Sequence, residues 1–393
     1  MVQPNSTGAV VIGGDYQGLG IVRSLGRRGV PVCVVDDEYS ISRFSRHVTH
    51  WATAPDLRDE RRTVDTLLET GRRLNLSGWV LYPTRDETVA AISRHRDALG
   101  QIFRVPTPAW SAIQYAWDKR NTHRLAHDLG IPAPRTWLVQ DAAELDGLDA
   151  EPPFVVKPAI KPTFVHATKD KAWRANSHRE LRELFTRASA VVGAPEVMVQ
   201  ELIPGGGERQ FAYCALFKDG RALASMVARR WRQHPPEFGR SSTYCETVDR
   251  PELEELSERY LTAVDYYGLV ELEYKLDART GQYKLLDFNA RTWGYHTLGP
   301  KAGVDFPWLL YCDQVGEPPP SPAPRARPGV RWRRLVTDIP SAAVELAARR
   351  LSPRSYVRSL RGPRAEAVFS PRDPMPAFAE LALVPYLMVK RGY

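Results

Sequence analysis

The chain has 393 residues, of which 43% are hydrophobic and 25% are charged, and its formal net charge at pH 7 is +8. This balance is typical of a globular protein with two or three domains. No apolar run approaches the ~18 residues that span a bilayer, and the N-terminus lacks a basic leader with a cleavage site, so we expect a cytoplasmic protein without a membrane span.

Cysteine usage points to the same compartment. The four cysteines, Cys33, Cys214, Cys245 and Cys312, are far apart and form no CxxC pair. Such spacing fits reduced thiols better than a disulfide framework or a zinc site.

Positive charge is concentrated near the C-terminus. Residues 321–393 contain 14 Lys and Arg against 5 Asp and Glu, whereas residues 1–320 are almost neutral. A basic segment can bind nucleic acid, an anionic membrane or an acidic partner, or it can be a solvated or self-packing surface. Because its arginines are scattered rather than interleaved with aromatic residues, we favour the last reading and expect no nucleic-acid partner. The proline-rich residues 316–328 predict a linker, followed by a basic C-terminal extension at 329–393 whose apolar stretch 378–389 packs on the body.

The first 117 residues predict a Rossmann-like domain. Residues 9–38 read as a strand, a glycine-rich turn, a helix and a second strand that ends in acids. The dinucleotide fingerprint G-x-G-x-x-G fails, because Asp15 and Arg23 stand where glycines are required. The turn around Gly14 is either purely structural or directs its amides at a carboxylate or phosphate.

From residue 118 onward the pattern changes to a helix followed by short strands. Asp118 is a candidate helix cap. In PPFVVKPAI, Lys157 ends a buried strand, where a cation is costly without an anionic partner. Further along, two strands joined by a glycine-containing turn predict a hairpin that brings Glu273 beside Asp287.

One face of this hairpin collects polar groups. Asp287, Asn289 and Arg291 occupy alternate positions of LLDFNARTWG, so their side chains point to the same side of a strand. Asp287 and Asn289, together with Glu273, offer oxygen ligands of the kind that Mg²⁺ takes, while Arg291 and Lys157 can bind phosphate from two sides. The chain contains no P-loop motif. The sequence therefore predicts a nucleotide triphosphate site of a different kind.

These motifs, in this order, resemble the ATP-grasp superfamily, and specifically its ATP-dependent carboxylate-amine ligases, over residues 9–315. The resemblance implies an α/β protein, α+β in its catalytic part. It implies an N-terminal Rossmann-like pre-ATP-grasp domain at 1–117 and an ATP-grasp domain at 118–315. The catalytic domain would divide into a small lobe at about 118–200 and a large lobe at about 201–315.

The resemblance also assigns roles to residues. It implies ATP and two Mg²⁺ ions, which Mn²⁺ can replace, with metal ligands Glu273, Asp287 and Asn289. The catalytic residues would be Lys157, Arg230 and Arg291. The nucleotide contacts would be Lys119, Lys157, the hinge residues Glu201, Leu202 and Ile203, and the ribose-binding Glu208. The departures from the family pattern are Asp287 in place of glutamate, Arg230 in place of lysine and Ala290 in place of proline.

The implied activity is transfer of the γ-phosphoryl group of ATP to a carboxylate, followed by attack of an amine on the acyl phosphate. We expect a small-molecule acid and amine as partners, and a monomer or homodimer. Residues 235–247 are expected to be a loop that closes over the intermediate. The expected substrate contacts are Gly14, Arg85, Ser241, Ser242 and Glu246, with Asp86 and Glu87 beside Arg85 in the wall of the second pocket.

Three other functions stay open at this point. An ATP-grasp carboxylase would use bicarbonate in place of the organic acid. A nucleotide-gated binding module would work through the basic extension. An NAD-dependent oxidoreductase rests only on the opening βαβ unit, and the failed fingerprint argues against it.

Overall fold

Three β-sheets organise the chain, and the computed structural model describes them within residues 7–362 and 364–391. The first sheet lies in the N-terminal domain, the second in the small lobe and the third, with seven strands, in the large lobe and the C-terminal extension. Helices and loops join the sheets so that polar groups from all three meet between them.

The N-terminal part alternates strands and helices. Its elements are β1 (Ala9–Ile12), α1 (Tyr16–Gly26), β2 (Val32–Asp36), β3 (His50–Thr53), α2 (Glu60–Arg73), β4 (Val80–Pro83), α3 (Asp86–Arg94), α4 (Arg96–Gly100) and α5 (Trp110–Trp117). The strands pair in parallel in the order β3-β2-β1-β4. Strands such as AVVI and VCVVD are continuous apolar runs because a parallel sheet is covered on both faces. The predicted Rossmann-like domain is confirmed.

The small lobe is built on a four-stranded antiparallel sheet. Its elements are α6 (Lys119–Asp128), β5 (Thr136–Leu138), β6 (Phe154–Pro158), α7 (Lys161–Thr168), β7 (Trp173–Ala175), α8 (His178–Val192) and β8 (Val197–Glu201). The strand order is β5-β8-β6-β7. Asp118 caps α6, as predicted, by accepting a hydrogen bond from the amide of Arg120. The lobe has its own core, in which Phe154 and Phe164 pack with Phe185 of α8.

The large sheet carries the predicted hairpin. Its first elements are β9 (Gln210–Lys218), β10 (Arg221–His234), β11 (Ser241–Thr247), α9 (Pro251–Ala263), β12 (Gly268–Asp277) and β13 (Gln282–Asn289). The last two strands pair antiparallel and place Glu273 opposite Asp287. The predicted hairpin and its register are therefore confirmed.

Residues 235–247 differ from the expectation of a closing loop. Most of this segment is β11, which pairs with β10 along its length and belongs to the middle of the large sheet. Its threonine and tyrosine side chains suit a buried strand. The prediction was wrong for residues 241–247, and residues 235–240 form the connection from β10.

The C-terminal extension completes the same sheet. Its elements and those leading to it are α10 (Leu298–Ala302), α11 (Phe306–Val315), β14 (Arg331–Arg333), α12 (Leu335–Ala347), α13 (Pro353–Ser359), β15 (Arg364–Glu366) and α14 (Met375–Arg391). The full strand order is β13-β12-β9-β10-β11-β14-β15. Trp332 of β14 is fully buried. The domain boundaries proposed from the sequence remain predictions, but residues 331–333 share a sheet with the large lobe.

Many of the extension's charges are paired within the protein. Asp338 of α12 receives two hydrogen bonds from the guanidinium of Arg232, at 2.8 and 2.9 Å, with both side chains buried. Arg325 of the proline-rich segment pairs with Asp249 and Glu254. These contacts support the self-packing reading of the basic segment.

Helix α14 packs on the body along one face. Ala379 and Leu387 are buried there, whereas Phe378 and Leu381 on other faces are more than 60% exposed. The expectation that residues 378–389 pack on the body therefore holds for one side of the helix. Across the part of the chain that the structure describes, no helix has both the length and the apolar character needed to cross a membrane.

A buried ion pair ties the extension to the N-terminal domain, and we predict that it is important for stability. The carboxylate of Asp373 accepts hydrogen bonds from Arg23 Nε at 2.9 Å and from Ser45 Oγ at 2.7 Å. Asp373→Ala should lower the free energy of unfolding by about 3 kcal/mol or more, because it leaves the buried Arg23 charge without a counter-ion. Urea denaturation measures this loss.

The control is Asp56→Ala, which removes a partner of Arg58 at the surface. Its expected cost is below about 1 kcal/mol, the usual range for exposed pairs. Equal losses for Asp373→Ala and Asp56→Ala would contradict the structural role of the buried pair.

Candidate active site

The β12-β13 hairpin places the predicted metal ligands on one face. Its register sets Glu271 opposite Asn289 and Glu273 opposite Asp287. The amide nitrogen of Asn289 donates to Glu273 Oε1 at 2.9 Å and to Glu271 Oε2 at 3.1 Å. A single strand pairing thus gathers three acids and one amide, because alternate residues of neighbouring strands share a face.

Cations from two other elements neutralise these acids. Arg230 of β10 lies 3.1 Å from Glu273, and Lys119, at the start of α6, forms an ion pair with Asp287. Burial raises the pKa of the Glu273 carboxyl, but the nearby charges of Arg230 and Lys171 outweigh burial and hold this pKa at about 2. The pKa of Asp287 is likewise lowered against the effect of burial, chiefly by Lys119. Both carboxylates are therefore ionised at neutral pH.

Arg291 lies just beyond the end of β13 and makes a contact that the sequence did not predict. Its Nε lies 2.5 Å from Asp86 Oδ1, and its Nη2 lies 3.3 Å from Asn289 Oδ1. The other oxygen of Asp86 lies 2.5 Å from Nζ of Lys161. Asp86 is the first residue of α3, so the N-terminal domain contributes a carboxylate to this site.

Lys157 and Lys171 are cations without an anionic partner in contact. Neither side chain has an ion pair or hydrogen bond within the residues that the structure describes. Burial and the charge of Lys119 lower the pKa of Lys157 to about 7, and burial lowers the pKa of Lys171 to about 8. Both amines lie close enough to Glu273 and Asp287 to be influenced by their charges. A bound anion could therefore serve as the counter-ion of these two amines.

The proposed nucleotide end of the site opens into a large cleft. This cleft has a volume of about 1300 Å³ and is lined by Leu202, Ile203 and Glu208, together with Lys275 of β12. The side chain of Glu201 points elsewhere, because it accepts hydrogen bonds from Lys284 and Arg279 and lines a second cavity behind the hinge. Three of the four predicted residues of the hinge and ribose site thus line the cleft.

The predicted substrate contacts are dispersed. The amide of Gly14 donates to Asp36 at 2.6 Å, and Arg85 pairs with both Asp36 and Asp37 at 2.7 Å. These contacts hold the glycine turn inside the N-terminal domain, which favours the structural reading of that turn. The roles of Gly14 and Arg85 in substrate binding stay predictions.

The predicted contacts on β11 also differ from one another. Ser242 is buried and Ser241 is half-buried, and both pair with the end of β10. Glu246 lines the large cleft, where it accepts a hydrogen bond from Nε1 of Trp231 at 3.0 Å and lies 3.3 Å from Arg331. Of the five predicted contacts, Glu246 has the position that best fits a substrate residue.

Sequence reasoning missed several residues of the site. They are Lys161, Lys171 and Tyr295, the last of which donates to Glu271 at 2.6 Å. The motif KPAIK contains a usable signal for Lys161, since it repeats a lysine four residues after Lys157. Lys171 lies between α7 and β7, and no local pattern marks it.

The donor set fits a magnesium ion shared with phosphate. Glu273, Asp287 and Asn289 supply two ionised carboxylates and one amide oxygen, which are hard donors of the type that Mg²⁺ prefers. Within residues 7–362 and 364–391, no group of three or more His, Cys, Asp or Glu side chains is arranged to hold a metal. A bound ion would therefore complete its coordination with phosphate and water oxygens, as Mg²⁺ commonly does.

Comparison with known proteins identifies the fold. No protein-family model matches the chain. The D-aspartate ligase of Enterococcus faecium (strain Aus0004) is 21% identical over 299 residues, which are 72% of this chain and 70% of that protein. The crystal structure of an L-amino acid ligase from Bacillus licheniformis matches with a TM-score of 0.61 and 17% identity, over 80% of this chain and 75% of the other.

A third similarity supports the same fold. Biotin carboxylase from Campylobacter jejuni, solved as a β-γ-ATP complex, matches with a TM-score of 0.65 and 13% identity, over 80% of this chain and 72% of the other. At this level of identity the solved structures establish the fold. The chain has the ATP-grasp fold that its motifs predicted, and the names of the two ligases agree with the predicted branch.

The low pKa of Lys157 leads to a pH-dependent prediction. Because its pKa is lowered to about 7, the neutral amine should appear above pH 7, whereas an ordinary lysine loses its proton near pH 10.4. In nucleotide-free protein, the rate of acetylation of Lys157 by acetic anhydride should have its midpoint near pH 7. Mass spectrometry of the labelled peptide, with acetyl-lysine amide as internal standard, measures this midpoint.

ATP should raise the same midpoint, because triphosphate near the amine favours its charged form. A midpoint above about pH 9 in the nucleotide-free protein would contradict the burial of this amine in a cationic environment.

Proposed function

We propose that this ATP-grasp protein is an ATP-dependent carboxylate-amine ligase that forms an acyl-phosphate intermediate. The proposal rests on the fold, on the acids of the β12-β13 hairpin and on the cations that surround them. The ligase names of its sequence relative and of one structural neighbour support the same reaction class.

The surplus of cations is the observation that carries the proposal. Four acids face one another in the site, and six cations lie among them. The acids are Asp86, Glu271, Glu273 and Asp287, and the cations are Lys119, Lys157, Lys161, Lys171, Arg230 and Arg291. Two of these cations, Lys157 and Lys171, have no partner among the described residues. Unpaired cations in a partly buried position are costly, so the site is suited to a polyanion such as a triphosphate.

The cleft provides a place for the rest of the nucleotide. It begins beside Lys275, two residues beyond Glu273 on β12, and extends to Leu202, Ile203 and Glu208. An adenine ring would lie against the apolar hinge, and the ribose hydroxyls would face Glu208. In this orientation the triphosphate would point from the cleft toward Glu273 and Asp287.

The chemistry can be assigned to groups of the chain. Glu273, Asp287 and Asn289 would hold Mg²⁺, with two ions and possible replacement by Mn²⁺ as the finer proposal. When bound, Mg²⁺ neutralises charge on the β- and γ-phosphates. Lys157, Lys171 and Arg230 would orient the phosphates and stabilise the charge of the transition state. No side chain is required as a covalent nucleophile.

The proposed reaction has two steps, and each step forms one bond and breaks another. A carboxylate oxygen attacks the γ-phosphorus, the bond from this phosphorus to the β-γ bridging oxygen breaks, and ADP leaves. The nitrogen of the amine then attacks the acyl carbon, and the bond from that carbon to the phosphate oxygen breaks. The products are an amide, ADP and a phosphate that retains one oxygen of the original carboxylate, and the amine's proton is released to phosphate or solvent.

An amino acid is the first acid to test, since both named ligases point to this class of substrate. We further propose a cytoplasmic enzyme, because the reaction consumes ATP and the four cysteines are unpaired and buried. A monomer or homodimer remains the expected state.

Lys171 provides a sharp test of the triphosphate site. Lys171→Met should raise KM for ATP by about tenfold or more, the scale of one lost charge contact to phosphate. Melting temperature without nucleotide should not fall, because the change removes an unpaired cation that is partly shielded from solvent. Lys169→Met is the matched control, since Lys169 is exposed in the same segment. Equal KM values in the two variants would exclude Lys171 from the phosphate site.

Isotope transfer tests the reaction itself. With the true acid labelled with ¹⁸O in its carboxylate, the released phosphate should carry one labelled oxygen, because the acyl-phosphate bond is cleaved at carbon. Hydroxylamine in place of the amine should give a hydroxamate. Unlabelled phosphate released during confirmed amide formation would refute the acyl-phosphate mechanism.

The same experiment separates the other functions. A carboxylase would label phosphate from bicarbonate and would need no organic acid for its first step. A nucleotide-gated binding module would release no phosphate in response to an acid. A screen of ATP consumption against amino acids, small acids and bicarbonate therefore comes first.

A further inference from the structure

A single carboxylate joins the three parts of the protein at the candidate active site. Asp86 belongs to the N-terminal domain, Lys161 begins α7 of the small lobe, and Arg291 follows β13 of the large lobe. One oxygen of Asp86 lies 2.5 Å from Arg291 Nε, and the other lies 2.5 Å from Lys161 Nζ. Each oxygen of the carboxylate is therefore held by a different cation.

This arrangement lies next to the phosphate-binding face. Arg291 Nη2 is 3.3 Å from Oδ1 of Asn289, one of the proposed metal ligands. Burial lowers the pKa of Lys161, but the charges of Asp86 and then of Asp287 raise this pKa above its usual value, which places the Lys161 amine close to the same face. A carboxylate held by Arg291 and Lys161 would thus lie beside the end of the triphosphate.

We propose that Arg291 and Lys161 form the binding site for the substrate's carboxylate, and that Asp86 occupies this site until the substrate displaces it. The inference rests on the proposed ligase function for the identity of the ligand, a small carboxylic acid. We call the pair of cations, Arg291 and Lys161, the carboxylate seat.

Charge balance explains why the seat has an internal occupant. Arg291 and Lys161 are both largely shielded from solvent, with 15% and 18% of their side chains exposed. Without Asp86 they would be two neighbouring cations with no counter-ion, which is costly in a partly buried site. Exchange of the Asp86 carboxylate for the substrate's carboxylate keeps the net charge within the carboxylate seat constant. Substrate entry therefore leaves neither Arg291 nor Lys161 unpaired.

A second contact between the same helices lets α7 stay in place during the exchange. Glu87 follows Asp86 on α3, and its Oε1 lies 3.0 Å from Nε2 of His166 on α7. Departure of the Asp86 carboxylate therefore removes one polar contact between α3 and α7 and leaves the contact between Glu87 and His166. The seat can accept a ligand while its Lys161 side remains held against the N-terminal domain.

The first test measures binding without any turnover. Asp86→Asn keeps the shape of the side chain and removes its charge, so the seat should become free for a small carboxylate. Sodium acetate, compared with sodium chloride at equal ionic strength, should raise the melting temperature of nucleotide-free Asp86→Asn protein at about tenfold lower concentration than that of the wild type. Asp86→Asn/Lys161→Met should lose this stabilisation.

Asp305→Asn is the matched control, because Asp305 pairs with Arg28 at 2.8 Å and accepts from Ser24 at 2.6 Å, outside the site. It should respond to acetate as the wild type does. Asp86→Ser provides a second uncharged variant should Asp86→Asn fold poorly. Absence of acetate stabilisation in folded Asp86→Asn or Asp86→Ser protein would overturn the proposal.

The second test uses the reaction. If Asp86 fills the seat about nine-tenths of the time, its neutralisation should lower KM for the acid about tenfold, while KM for ATP stays within about twofold. Lys161→Met should raise KM for the acid. An unchanged or higher KM for the acid in Asp86→Asn would indicate a purely structural role and overturn the proposal.

The two tests also distinguish this proposal from the proposed function. Acetate stabilisation of Asp86→Asn with no acid-dependent ATP turnover would leave the carboxylate seat standing and reject the ligase. Ligase turnover with no effect of Asp86→Asn on acetate binding or on KM would reject the seat alone.

Discussion

The burial of several carboxylates on the β12-β13 hairpin is the constraint on which the rest of the site depends. Strand pairing fixes Glu273 opposite Asp287, and burial makes their charges costly unless cations approach. Those cations come from other elements: Lys119 from α6 and Arg230 from β10. Because these carboxylates need counter-charge, their ion pairs hold the lobes together around the site.

Several carboxylates join the N-terminal domain to the rest of the chain in the same way, and Asp86 and Asp373 are two of them. Asp86 bridges Arg291 and Lys161 at the site. Asp373 of the extension forms an ion pair with Arg23 of α1. Each of these two carboxylates is held by more than one donor, which fixes the orientation of the carboxylate and also neutralises its charge. The domain is thus positioned to contribute to substrate binding although it has no dinucleotide fingerprint.

Much of the fold could be predicted because its signals are local. Continuous apolar runs indicate the parallel sheet of the first domain, the aspartate before α6 indicates a helix start, and the glycine turn before Gln282 indicates the hairpin. The loop expected at 235–247 was wrong for residues 241–247, because β11 pairs on one edge with the preceding strand β10 and on the other with β14, which lies more than 80 residues later in the chain. No local pattern reveals a partner at that distance.

By itself, the sequence determined the acid and amide face of the hairpin, since alternation along a strand is a property of neighbouring residues. The ATP-grasp fold was predicted from the resemblance of its ordered motifs to those of that superfamily. Only the tertiary structure decided which charges are paired. It joined Asp86 to Lys161 and Arg291 and left Lys157 and Lys171 without partners among the described residues. Electrostatic energy depends on distances in space, and these residues lie up to 205 positions apart along the chain.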